Sequence, residues 1–111
     1  MRIVMWTALA VAGLHLGATA AAAQSPAEKG QQLFTAQRCT MCHAVAGKGN
    51  AKGPLDGVAA KYKADELKQW LVAPADMAAK HNATRKPAMR DFSKLPAADL
   101  DALVAYLQTL K

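Results

Sequence analysis

Two cysteines and a histidine lie within five consecutive residues, Cys39-Thr40-Met41-Cys42-His43. Thiols at this spacing can form a disulfide, bind a metal or react with a cofactor, and the neighbouring imidazole can bind a metal through a ring nitrogen. The arrangement Cys-x-x-Cys-His is the attachment sequence of c-type haem. There the two thiols add to the vinyl groups along one porphyrin edge, and the histidine binds the iron. We therefore predict that Cys39 and Cys42 attach one haem c covalently and that His43 is its proximal ligand.

Three other uses of the cysteines remain as alternatives. A disulfide would close a very short loop, so it would constrain the unfolded chain little. A thioredoxin-type pair usually follows a strand in a βαβ pattern, whereas this sequence has no strand-rich run. A zinc ion would need a fourth donor, and His81 is the one further imidazole after residue 23. The histidine that directly follows the second cysteine favours haem attachment over all three.

Three further features accompany this motif: Gly53-Pro54 follows it, Pro87-Ala88-Met89 comes later, and Phe92 lies just beyond. With the motif they resemble the monohaem class I cytochromes c of bacteria, and the resemblance extends over nearly the whole of Ser25 to Lys111. It implies an all-α fold in which three to four helices and long loops surround one covalently bound haem. It also implies that Met89 is the distal iron ligand, on the other side of the haem from His43.

The resemblance assigns further roles near the haem. It implies that the Pro54 carbonyl accepts a hydrogen bond from the ring N–H of His43 and so orients the proximal ligand. Gly53–Val58 is about one residue shorter than the common form of this segment, which leaves the choice of carbonyl open. An ordinary Gly/Pro turn is the alternative. We expect Trp70 to pack near the haem or the core.

Other side chains compete with Met89 for the sixth position on the iron. Met77 would require a rearranged loop, and His81 would give two histidine ligands. Met41 lies inside the attachment loop and cannot reach the other face of the haem. A histidine and a methionine together raise the reduction potential above that of two nitrogen ligands.

The predicted function follows from this ligand set. A filled sixth position favours electron transfer over catalysis, so we predict a single-electron carrier that is not an enzyme and has no small-molecule substrate. It would pass electrons between periplasmic or membrane-bound redox partners. An electron-transfer subunit of a larger oxidoreductase is one alternative. A haem enzyme or gas sensor with a displaceable sixth ligand is another.

The first residues predict export. A single arginine, an apolar run from Ile3 to Leu14 and Ala21-Ala22-Ala23 have the features of a secretory signal peptide. We expect residues 1–23 to be cleaved, leaving residues 24–111 as a periplasmic cytochrome c domain. An uncleaved membrane anchor is the alternative, although His15 and nearby glycines weaken it as a span.

The charge of the chain indicates the kind of partner. The formal net charge is +6 at pH 7, and the basic residues are dispersed without interleaved aromatics, which argues against nucleic-acid binding. We expect a monomer that meets redox proteins with acidic docking surfaces. Cations that we expect around the exposed haem edge are Lys48, Lys52, Lys80, Arg85, Lys86 and Arg90.

Hydrophobic periodicity predicts the helices that must position this site. Ser25-Pro26-Ala27-Glu28 is a capping sequence for a helix to about Gln37. The resemblance implies that this helix packs against the last one, where Gly30 would allow the two backbones to approach closely. A short helix over 65–72 should end before Pro74. The last helix should begin near Pro96, with Leu100, Leu103, Val104 and Leu107 facing the core. We expect the stretches 47–57 and 76–91 to be irregular.

Overall fold

The computed structural model of the chain describes residues 23–111, together with Gly13 and Gly17. The predicted signal peptide therefore lies, apart from those glycines and Ala23, outside the described residues. The described part contains five α-helices, one 3-10 turn and one two-stranded antiparallel hairpin. In chain order these are α1 (Pro26–Ala36), the 3-10 turn (Cys39–Met41), β1 (Ala44–Val45), β2 (Lys48–Gly49), α2 (Val58–Lys61), α3 (Ala64–Val72), α4 (Pro74–Lys80) and α5 (Ala97–Leu107).

The first and last helices form the main packing unit of the fold. α1 begins where the Ser25 hydroxyl accepts a hydrogen bond from the Glu28 N–H at 3.2 Å, as expected for a helix N-cap. Gly30 is buried against α5. A Cβ placed on Gly30 would lie 2.6 Å from the carbonyl carbon of Ala102 and 2.7 Å from Cβ of Tyr106. The prediction that Gly30 permits close helix packing is confirmed.

The inner face of α5 carries the core. The four residues of the predicted apolar stripe are all buried, and Leu103 is only 1% exposed. Phe34 of α1 meets Tyr106 edge to face with ring centroids 5.4 Å apart. At the surface, the Lys29 ammonium lies 2.9 Å from the Asp99 carboxylate and joins the two helices.

The third helix joins this pair through its apolar side. Leu67 and Leu71 of α3 are buried in the same cluster as Leu100 and Leu103. The Leu71 carbonyl also accepts a hydrogen bond of 2.8 Å from the Phe92 N–H, which ties the segment after α4 to α3. α3 ends one residue before Ala73, as the proline at position 74 predicts.

Two short helices and the hairpin correct the expected loops. α4 occupies the beginning of the stretch 76–91, which we expected to be irregular, because Pro74 starts a new helix at its first position. α2 follows the Gly-rich stretch, and β2 lies within it. These additions raise the number of α-helices over residues 23–111 to five, and the architecture is otherwise all-α, as predicted. No helix in this part of the chain is long and apolar enough to cross a bilayer.

Candidate functional site

A cavity of about 670 Å³ lies between the helices α1 to α5 and the loops that join them. Its volume is within the range of small-molecule and cofactor sites. Apolar side chains supply much of its wall, including Phe34, Leu67, Leu71, Leu103 and Leu107. All six residues that the sequence singled out for the site also line this one cavity: Cys39, Cys42, His43, Pro54, Trp70 and Met89.

The attachment segment is wound into a tight turn directly after α1. Arg38 has a left-handed backbone conformation (φ 59°), which redirects the chain from the helix into the 3-10 turn. The Cys39 carbonyl then accepts hydrogen bonds from the N–H groups of Cys42 at 3.1 Å and His43 at 2.9 Å. Both cysteines are free and half-buried, and they are not joined to each other. The turn thus presents two thiols and an imidazole to the same cavity.

The proximal histidine is held by a backbone carbonyl, but the carbonyl belongs to Gly53. Nδ1 of His43 lies 3.1 Å from the Gly53 oxygen, which also accepts from the Ala44 N–H at 3.0 Å. The prediction that Pro54 provides this acceptor is therefore corrected by one residue. The reason is a parallel bridge that pairs Ala44 with Pro54. In such a bridge the carbonyl before the paired residue faces the neighbouring strand.

The protonation of His43 is controlled by its surroundings. Burial lowers the pKa of His43, and the nearby Arg85 guanidinium lowers it further, although the hydrogen bond to Gly53 acts in the opposite direction. The ring is therefore favoured in its neutral form. Since Nδ1 must carry the hydrogen to donate to the Gly53 carbonyl, the lone pair remains on Nε2, the nitrogen available to a metal.

The first thiol of the motif is desolvated by its surroundings. Burial raises the pKa of the Cys39 thiol, and this outweighs the opposing effect of the Arg90 guanidinium. Cys39 is therefore a neutral group that suits an apolar wall. Both cysteines line the cavity.

The competing distal ligands are placed apart from Met89. Met89 lines the cavity and packs on the core from the segment between α4 and α5. Met77 is buried, with 6% of its surface exposed, and is not among the lining residues. His81 is exposed and stacks on Trp70 at 5.6 Å between ring centroids. Met41 is 65% exposed. Of these four, Met89 alone faces the cavity.

Trp70 and Tyr62 form an aromatic part of the wall. Their ring centroids lie 6.0 Å apart, edge to face. Nε1 of Trp70 is buried, and no group among the described residues accepts a hydrogen bond from it. Buried indole N–H groups usually have an acceptor, and a carboxylate-bearing ligand in the cavity would supply one. The thiols, the free imidazole nitrogen, the thioether and the apolar lining likewise fit a covalently bound haem c.

Two arginines make hydrogen bonds near the cavity that the sequence did not predict. Nη1 of Arg85 donates a hydrogen bond of 2.6 Å to the carbonyl of Cys42, and the Arg90 guanidinium donates to the Gln37 carbonyl. Both arginines were expected among the cations around the exposed haem edge, because they lie in the loop predicted to surround it. Nothing in their local sequence indicates the carbonyl partners, which are about 40 or more residues away in the chain.

An all-helical shell around a cavity lined by Cys-x-x-Cys-His defines the class of small c-type haem proteins. The sequence profile described as Cytochrome c matches residues 27–111, and the chain belongs to the cytochrome c family, whose members bind haem c and transfer electrons. The predicted resemblance and fold class are thereby confirmed.

One curated relative is cytochrome c oxidase subunit 2 of Alkalihalophilus pseudofirmus, which is 34% identical over 94 residues. The match covers 77% of this chain and 26% of the relative, so the chain spans about a quarter of that protein's length. The comparison with solved structures gave no significant match.

Proposed function

We propose that this chain is a single-electron carrier in which Cys39 and Cys42 hold haem c by thioether bonds and His43 and Met89 bind its iron. When bound, the haem supplies one-electron cycling between ferric and ferrous iron. The observation that carries the proposal is the convergence of all four side chains on one apolar cavity. Each of these four residues lies outside the helices α1 to α5, and the helices supply the rest of the cavity wall together with the joining loops.

The proximal side is prepared for metal binding by the chain itself. Gly53 orients the His43 ring through Nδ1, which is 3.1 Å from its carbonyl oxygen, and leaves Nε2 free. A hydrogen bond from a ligating histidine to a carbonyl fixes the ring and raises its basicity as a ligand. Burial works in the same direction, since it disfavours the protonated ring that could not bind iron.

The distal side favours transfer over catalysis. Met89 is partly buried against the core, so its thioether has a fixed apolar environment. A thioether ligand favours ferrous iron and raises the reduction potential. With this position filled, oxygen, peroxide or another small substrate has no open coordination site. The apolar wall also excludes water, which further tunes the potential.

The ligand assignment is tested by the absorption spectrum and redox titration of the haem-loaded protein. The ferric protein should have the weak far-red band of methionine ligation, and Met89→Ala should abolish it. Met77→Ala removes a thioether that does not line the cavity, so it serves as the matched control and should keep the band. A band that survives in Met89→Ala, or tight azide and carbon monoxide binding by the parent at neutral pH, would instead support the haem enzyme or gas sensor.

The docking surface lies beside the attachment turn. Met41 is the large hydrophobic side chain that stands exposed among the described residues, and its neighbour Cys42 lines the cavity. Lys48 and Lys52, both exposed, follow shortly after in the chain. An apolar centre with basic neighbours suits a redox protein whose surface has an apolar patch and acidic groups around it.

The docking proposal predicts a salt dependence. The rate of electron exchange with an acidic redox partner should fall as ionic strength rises, because screening weakens the attraction between the charges. The double variant Lys48→Gln and Lys52→Gln should be slower at low salt and less sensitive to salt. Lys111→Gln is a suitable control, since it removes an exposed charge at the end of the chain beyond α5. A rate independent of salt would refute the electrostatic part of the proposal.

A second candidate is an electron-entry domain that works within a larger oxidase. The similarity to cytochrome c oxidase subunit 2 favours it over other assemblies. Gel filtration of the natively isolated protein separates the two candidates. A small, free species indicates a carrier, and co-elution with oxidase subunits indicates a permanent subunit or domain.

The compartment is part of the same proposal. We place the haem domain in the periplasm, on the basis of the apolar run and the Ala-rich end of residues 1–23. The mass of the exported product tests this directly. A chain beginning at Gln24 supports cleavage, whereas an intact amino terminus in the membrane fraction supports the anchor.

A further inference from the structure

We propose that Arg85 and Arg90 are positioning residues that hold the Met89 segment against the attachment segment and thereby keep Met89 at the sixth position of the iron. The inference rests on the proposed function, since it assumes Met89 as the distal ligand. It concerns the chain's own contacts, which bring the segments of the two iron ligands together.

The Met89 segment has little backbone support of its own. Ala83 donates a backbone hydrogen bond to Ala78, and Phe92 donates the next one, to Leu71. Between them, residues 84–91 make no backbone hydrogen bond to any other described residue. A segment without such bonds opens at low free energy unless side chains hold it. The segment therefore depends on side-chain contacts for its position.

Arg85 supplies the first of these contacts. Its Nη1 donates to the Cys42 carbonyl at 2.6 Å, within the attachment turn. Its guanidinium also lies against Gly53, where an added Cβ would be 3.1 Å from Cζ and closer still to Nη1. The Gly53 carbonyl accepts a hydrogen bond from His43. The Arg85 side chain therefore links the Met89 segment both to the attachment turn and to the residue that orients the proximal histidine.

Arg90 supplies the second contact, one residue after Met89. Its guanidinium donates to the Gln37 carbonyl at the end of α1. The same group lies over the Phe92 ring, with Cζ 5.1 Å from the ring centroid, and Phe92 is buried in the core. The two arginines thus fix the segment on both sides of Met89, by hydrogen bonds from charged donors, which are stronger than those between neutral groups.

The consequence is a shift in how often Met89 leaves the iron. An external ligand such as imidazole binds only when the sixth position is open, so its apparent affinity is proportional to the open fraction. Loss of one arginine contact should raise that fraction about fivefold to tenfold, which is less than a buried hydrogen bond to a charged group would give, because both contacts are exposed to solvent.

The experiment uses haem-loaded parent, Arg85→Ala and Arg90→Ala. Imidazole is titrated against the ferric protein, and amide hydrogen exchange is followed in peptides covering 82–91. Each arginine variant should bind imidazole about fivefold to tenfold more tightly and exchange faster in these peptides. Lys94→Ala removes a charge from the same irregular segment but beyond Phe92, and it should match the parent. Lys29→Ala breaks the α1–α5 ion pair and controls for general destabilisation.

Two results would overturn the inference. One is unchanged exchange in the 82–91 peptides of both arginine variants, and the other is imidazole affinity within twofold of the parent or equally altered in Lys29→Ala. Failure of the proposed ligand set would be seen separately, as a parent without the far-red band. The exchange measurement still tests the contact of the arginines with the attachment segment in that case.

Discussion

The close approach of α1 and α5 at Gly30 can be tested by adding one methyl group. In Gly30→Ala the new Cβ would lie 2.6 Å from the Ala102 carbonyl carbon and 2.7 Å from Tyr106 Cβ, and it would overlap the Ala102 oxygen. Two of these three atoms belong to the backbone of α5, which cannot turn away as a flexible side chain can. The helices would have to separate at the centre of the core.

The expected loss of stability is the difference between two effects. Overpacking a well-packed core costs about 1–3 kcal/mol, and contact with backbone atoms places this site at the upper end. Replacing glycine by alanine within a helix recovers about 1 kcal/mol of helix propensity. We therefore expect a net loss of about 2 kcal/mol in the free energy of unfolding. For a domain of this size that lowers Tm by roughly 8–16 °C.

Denaturant unfolding of the haem-loaded protein, followed by far-UV circular dichroism, measures this loss. Gln32→Ala is the matched control, because it places alanine at an exposed position of the same helix and should change stability by less than about 0.5 kcal/mol. Equal or greater stability of Gly30→Ala would refute the reasoning. That result would mean that helix propensity outweighs packing and that the helices are not in close contact at this residue.

Three further substitutions test other parts of the structure. Gly53→Ala should lower the free energy of unfolding in denaturant by about 1–3 kcal/mol, because its Cβ would overlap the Cys42 carbonyl and the Arg85 guanidinium. An unchanged denaturant midpoint would contradict the close contact of Gly53 with these two groups. Burial, and more weakly Asp56, raises the pKa of Tyr106. The unfolded chain therefore loses its phenolic proton at a lower pH than the folded chain, and the free energy of unfolding falls as pH rises above about 10. Tyr106→Phe should reduce that fall in midpoints measured between about pH 8 and pH 11, and an equally steep fall would count against the role of this phenol. Asp99→Asn should lower the free energy of unfolding by less than about 1 kcal/mol, because its ion pair is partly exposed to solvent. A larger loss in the same assay would show that the ion pair contributes more than its solvent exposure suggests.

The parts of the fold that follow from local periodicity were predictable from the sequence. The stripe on α5 that ends at Leu107 and the capping sequence before α1 each determine a helix without reference to the rest of the chain. α4 was missed because Pro74 was interpreted only as the end of α3. The same proline is also the first residue of the next helix, and a proline alone does not distinguish the two roles.

The parts of the site whose residues are neighbours in the sequence were predictable. The Cys-x-x-Cys-His motif lies in five consecutive residues, and Met89, which was predicted from its neighbours in the chain and the family pattern, lines the same cavity. The acceptor for His43 was placed one residue too late, because the pairing of Ala44 with the segment at Pro54 selects the carbonyl. The carbonyl partners of Arg85 and Arg90 could not be found, since they depend on the folded path of the chain.

The proposed electron transfer and the proposed iron ligands both depend on covalent attachment of haem at Cys39 and Cys42. It is tested by the intact mass of the protein purified from a host competent for cytochrome maturation, beside the variant with Cys39→Ala and Cys42→Ala. After denaturation the parent should be heavier than its polypeptide by one haem, and the variant should not. A parent whose mass equals that of its amino acids alone would contradict it.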